Sequence, residues 1–142
     1  NRNLEAYRRF GVPVWQDTIP DFAGPLAGLQ SGLRHCATPL LVAVPCDSPF
    51  LPLDLVARLH AAMTAADAEL ALAVTASGPH PVFCLLKTAL LADLTAYLQS
   101  GGRKVSAWQQ TRKTVEVYFE DEAAFRNINS RADLHRFEAQ AQ

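Results

Sequence analysis

The segment Pro45-Cys46-Asp47-Ser48-Pro49-Phe50-Leu51-Pro52 sets one acid, Asp47, among three prolines, directly after an apolar run. A carboxylate there offers hard oxygen donors of the kind Mg²⁺ shares with substrate phosphates. The same aspartate could instead close an Asx-type turn by bonding the backbone two residues on. Arg103 and Lys104 follow Gly101-Gly102 and open an expected helix. Cations at that end oppose the helix dipole at ~0.3–1 kcal/mol each, so their placement makes sense if an anion sits there, or if both are solvated beyond its reach. Asn127 and Asn129 bracket Ile128. In an extended segment both amides would point to one side, although helix capping competes at Asn129. His80, within Gly78-Pro79-His80-Pro81-Val82-Phe83, is of a type that more often packs or hydrogen-bonds than catalyses when it stands alone before a strand.

The elements that must position these groups alternate in period. Residues 3–10 read as a helix stopped by Gly11, and 12–15 as a short strand placed at an edge by Pro13. Pro25 suits the first turn of a helix with Leu26, Leu29 and Leu33 inward. Residues 40–44 form an unbroken apolar run, expected to be a strand buried on both faces of a parallel sheet with Asp47 beyond its carboxyl end. A helix is expected over 52–66 with Leu55, Val56, Leu59 and Met63 on one side. Strands follow at 70–74 and 81–86, helices at 88–100 and 103–110, and a half-exposed strand at 115–119. A last helix begins near Ser130, with Asp133 completing a capping box. The expected fold is therefore α/β, a three-layer sandwich with a mainly parallel sheet, whose ligands lie outside the carboxyl ends of the strands.

With 142 residues, 49% of them apolar, the chain can build one domain around a core. A formal net charge of −1 and the lack of a basic stripe argue against nucleic acid and membrane surfaces as partners. No apolar stretch reaches the ~20 residues of a bilayer span, so a soluble, cytoplasmic protein is expected. Cys36, Cys46 and Cys84 are odd in number and form no C-x-x-C pair; they are expected to be reduced and mostly buried. The chain opens without Met, straight into a helical pattern, and a preceding piece is expected. Trp15, Trp108 and Tyr118 read as core or rim aromatics.

Five ordered blocks carry a resemblance: GPLAGL (24–29), PCDSPFLP (45–52), HPVF (80–83), GGRKV (101–105) and FRNINS (125–130). In this order and spacing they resemble the molybdenum cofactor guanylyltransferases of the nucleotidyltransferase superfamily, from Asn1 to about Phe137. The resemblance implies a Rossmann-like nucleotidyltransferase fold whose opening strand and Gly-rich phosphate loop would lie before Asn1. The 142 residues would then be a single domain, the C-terminal two-thirds of such an enzyme, inactive alone and expected to aggregate or stay partly molten in isolation.

The implied reaction joins GMP from GTP to the terminal phosphate of molybdopterin carrying molybdenum, releasing pyrophosphate with the help of Mg²⁺. Asp47 matches the family's metal-binding acid, and Asp17 a nucleotide-contacting acid that could take two parallel hydrogen bonds from guanine or meet the ribose. Gly24, Pro25 and Gly28 match a nucleotide segment, although helix packing alone could select a glycine at 28. His80, Arg103, Lys104, Asn127 and Asn129 match the pterin side. Molybdenum-insertion proteins and molybdoenzyme chaperones are the implied protein partners. A cytidylyltransferase, a sugar-1-phosphate transferase and a non-catalytic pterin-binding fragment are the competing readings.

Overall fold

The computed structural model describes residues 4–16 and 24–128. Asp17, Asn129 and the expected helix near Ser130 lie outside the described residues.

Helix α1, Leu4–Arg8, leaves Tyr7 and the following Phe10 exposed. The expected strand at 12–15 does not form. Pro13 has no N–H to give a ladder, and Trp15 instead stacks on His35 with ring centroids 4.6 Å apart. Helix α2, Pro25–His35, starts on its proline and buries Leu26, Leu29 and Leu33 as its spacing predicts.

The sheet has the order β1-β3-β2-β4, with β1 Leu40–Ala43, β2 Leu70–Thr75, β3 Gly78–Lys87 and β4 Thr114–Tyr118. β4 runs parallel to β2, and β3 runs antiparallel to both β1 and β2. The α/β expectation is met by a mixed sheet in which three strands point one way and β3 is reversed. The reason is local. β2 and β3 are joined through Ala76 and Ser77 alone, and a parallel connection would need a crossover of a dozen residues or more. Gly78, at φ 117°, makes the hairpin turn that so short a link requires.

Each central strand sends alternate residues to opposite layers. Leu70 and Leu72 of β2 with Cys84 and Leu86 of β3 pack beneath α2 and helix α4, Leu91–Gln99. Ala71 and Ala73 with Phe83 and Leu85 pack beneath helix α3, Leu55–Ala65. Helix α3 buries Leu55, Leu59 and Met63. Val56 does not join them and is 51% exposed, because one residue of helix rotates it about 100° away from Leu55. β1 also departs from expectation. It pairs only with β3 among the described residues, and Val42 and Val44 are 39% and 40% exposed. The unbroken apolar run identified a strand, and among the described residues that strand has one neighbour and is only partly covered.

Cysteine burial is mixed: Cys84 is buried, Cys36 half-buried and Cys46 exposed. Burial pushes the Cys84 thiol up to about 12, so it stays protonated and inert. A thiol reagent should therefore modify Cys46 in the folded protein and reach Cys84 only after denaturation, as mass spectrometry of the labelled peptides would show. Reaction at Cys84 under native conditions would contradict this packing.

Among the described residues no helix is long and apolar enough to cross a membrane.

Candidate functional site

Because β3 is reversed, the carboxyl ends of β1, β2 and β4 share one edge of the sheet with the amino end of β3. Asp47 leaves that edge from β1, Thr75 and Ser77 from β2, His80 from β3, and residues 121–128 from β4.

Asp47 is half-buried, and among the described residues its carboxylate has no hydrogen bond or ion pair. The Asx-turn reading fails on chemistry: the residue two positions on is Pro49, which carries no N–H to donate. The backbone around the acid is held instead. Ile128 N–H donates to the Asp47 carbonyl at 2.7 Å, and Ser48, 3% exposed, donates its hydroxyl to Asn127 Oδ1 at 2.8 Å. The sequence reading missed Ser48, whose partner lies 79 residues away.

No group of three or more His, Cys, Asp or Glu converges among the described residues. The donors for an all-protein cage are therefore not assembled there. A single unpartnered carboxylate at a strand-end loop does fit Mg²⁺, which takes one or two carboxylates and completes its shell with water and phosphate oxygens.

A cavity of about 590 Å³ runs between α2 and β1, lined by Pro25, Gly28 and Leu29 on one side and Val44, Pro45 and Cys46 on the other. The fold thus brings Pro25 and Gly28 to the residue that precedes Asp47. A Cβ built at Gly28 meets nothing within 4 Å, whereas one at Gly32 would lie 3.1 Å from Leu41. Packing within the described residues accounts for glycine at 32 and not at 28. Gly24 caps α2 at the same end, again with open space where a side chain would be.

His80 lies inside β3, at an irregularity flanked by Pro79 and Pro81 that shifts the β2–β3 register. Its Nε2 is 2.8 Å from Thr75 Oγ1, which is 3.0 Å from Ser77 Oγ. Its ring stacks on Phe125 at 4.8 Å. Burial lowers the pKa of the imidazole from its ordinary 6.5, against the opposing pull of the Glu122 carboxylate. The folded state thus favours neutral His80, a contribution to stability fully present above about pH 6.5 and lost as pH falls through the folded pKa. An NMR titration should place His80 below 6.5, and His80→Gln should flatten the acid-side loss of stability. A midpoint at or above 6.5 would contradict the stacked, half-buried environment.

Arg103 and Lys104 precede a helix, α5, of only five residues, Val105–Gln109. Arg103 Nη1 donates to the Leu98 carbonyl at 3.2 Å and to that of Gly102 at 2.7 Å. Its guanidinium therefore serves the carboxyl end of α4, where a cation is favoured, and the expected conflict with a dipole disappears. Lys104 caps α5 and its carbonyl accepts from Tyr97 Oη. Gly102 also has a local cause, since a Cβ there would lie 2.4 Å from the Tyr97 ring.

The description "MobA-like NTP transferase domain" matches residues 1–115. The chain belongs to this family. Relatives named molybdenum cofactor guanylyltransferase include one from Cupriavidus taiwanensis, 54% identical over 98% of the chain and 72% of the relative. Another from Bordetella petrii is 54% identical over 96% of the chain and 71% of its own length. Among solved structures, molybdopterin-guanine dinucleotide biosynthesis protein A from Archaeoglobus fulgidus superposes with a TM-score of 0.76 at 22% identity, covering 96% of this chain and 72% of that one. A protein from Aquifex aeolicus VF5 does so with a TM-score of 0.74 at 19% identity, covering 89% and 67%. These two likenesses establish the family's fold for this chain.

Proposed function

We propose that the chain carries the catalytic acid of a molybdenum cofactor guanylyltransferase, which transfers GMP from GTP to the terminal phosphate of molybdenum-molybdopterin. The observation that carries this reading is the identity of about 54% to relatives of that name along nearly the whole chain. A terminal phosphate oxygen of the acceptor attacks the α-phosphorus of GTP. The new P–O bond forms as the bond to the β-phosphate breaks, and pyrophosphate leaves with the electron pair. Asp47 would hold Mg²⁺, which when bound neutralises charge on the phosphate oxygens.

The chain's own part is to orient and to supply donors and acceptors. Pro25 and Gly28 leave the wall of the α2–β1 cavity free of side-chain bulk, where a flat base can approach the backbone, and Gly24 opens that helix. Asp17 would accept from the guanine edge or from the ribose. Asn127, Asn129 and His80 would serve the acceptor side. Arg103 and Lys104 belong to this side by family likeness, and the local bonds of Arg103 make it the weaker member. Molybdenum-insertion proteins and molybdoenzyme chaperones are the proposed partners for handing the cofactor on, in the cytoplasm.

The test is a magnesium-dependent assay on the full-length protein with molybdenum-molybdopterin and each nucleotide. Pyrophosphate release with GTP and not CTP is the expected result. Preference for CTP, or turnover of a sugar 1-phosphate, would replace the guanine assignment. Pterin binding without nucleotide turnover would reduce the protein to a docking module.

A further inference from the structure

We propose that Ser48 is a positioning residue: through Asn127 it fixes the backbone that carries Asp47 and sets which way the Asn127 amide faces. This rests on the reading of Asp47 as the acid of the reaction. The two consecutive pairs 47–48 and 127–128 are joined by two hydrogen bonds, Ile128 N–H to the Asp47 carbonyl and Ser48 Oγ–H to Asn127 Oδ1. They form a clasp between segments that leave the sheet from β1 and β4. One side is stiffened by Pro45 and Pro49, whose rings fix φ. The other is anchored by Phe125, 4% exposed, which packs on His80, Phe83 and Phe119 at 4.8, 4.9 and 5.3 Å.

The buried hydroxyl determines the polarity of the amide. A buried O–H needs an acceptor, and of the two polar atoms of an asparagine amide only the oxygen accepts. Oδ1 therefore turns inward to Ser48, and the exposed Asn127 presents its two N–H donors on the edge that carries the Asp47 carboxylate. Paired donors beside a carboxylate suit an acceptor-rich group, a phosphate oxygen or a ring carbonyl, on the substrate that receives the nucleotide. Ser48 touches neither substrate in this arrangement and acts through its neighbours.

Three variants of the full-length protein test this, with each thermal transition checked first. Ser48→Ala is expected to lower kcat about tenfold or more, because small misplacements of a reacting group are costly, while KM for GTP stays near wild type. Hydrogen exchange at the Ile128 amide should accelerate roughly five- to tenfold, the share of one lost hydrogen bond. Ser48→Thr keeps the hydroxyl and should restore both readouts. Asn127→Asp keeps the acceptor and loses the donors, so Ile128 protection should persist while KM for the pterin substrate rises. Wild-type exchange at Ile128 in Ser48→Ala would overturn the clasp, and altered exchange with unchanged kcat would overturn its positioning role. Full activity of Asp47→Asn would overturn the functional reading by itself, whatever Ile128 does.

Discussion

Asp47→Asn is expected to lower kcat by at least ~10²-fold, in the range seen when a single group stabilising transition-state charge is removed, while leaving the thermal midpoint nearly unchanged. Both halves follow from the same geometry. Among the described residues the carboxylate has no partner, so its charge stabilises no contact there. The interactions that hold the loop use the Asp47 carbonyl and the Ser48 hydroxyl, which the substitution leaves in place. Neutralising the acid removes a hard anionic donor and substitutes an amide oxygen that binds Mg²⁺ far less well. Assays at increasing magnesium should show partial recovery, because mass action offsets weakened binding. Wild-type turnover at ordinary magnesium, with an unaltered midpoint, would mean that the acid has no part in the reaction.

Leu86→Ala should do the reverse, costing about 2–5 kcal/mol of stability, the range for a buried leucine whose site cannot collapse. Leu86 is fully buried and sits in β3 between Leu41 of β1 and Leu70 of β2, the strand on which both neighbours depend. Its side chain packs in the layer that holds Leu70, Leu94 and Trp108. A domain stabilised by 5–15 kcal/mol would lose a large part of its margin. Val56→Ala, on the exposed side of α3, should stay within about 0.5 kcal/mol. Urea denaturation of the two variants in the full-length protein checks the contrast, and equal losses would mean that the burial pattern of α3 or β3 is wrong.

The gap between these two alanine substitutions is where the sequence alone stops. The apolar spacing of 26, 29 and 33 located the inward face of α2, because such periods reflect nearest neighbours along one element. The same reasoning put Val56 inward, since a cluster of apolar residues does not say where the sheet surface ends. An unbroken run announced β1 without fixing its place, which depends on which strand pairs beside it. The reversal of β3 was within reach, as residues 75–80 between the two expected strands already leave no room for a crossover.

The chemistry divides in the same way. Asp47 stood out as a candidate because an acid among prolines at a strand end is a local signal; the Asx-turn alternative stayed open until Pro49 was seen to offer no N–H. Arg103 looked anomalous in sequence and became ordinary in space, where the carbonyl end of α4 receives it. Composition and ordered motifs therefore determined the α/β class and singled out Asp47 as the candidate acid. Only the tertiary structure decided the strand directions that gather the site's segments on one edge, and the hydrogen bonds with Asn127 and Ile128 that hold the backbone at Asp47 and Ser48. Local patterns record what a residue must be; long-range contacts, which depend on how far apart in sequence two segments meet, record what it touches.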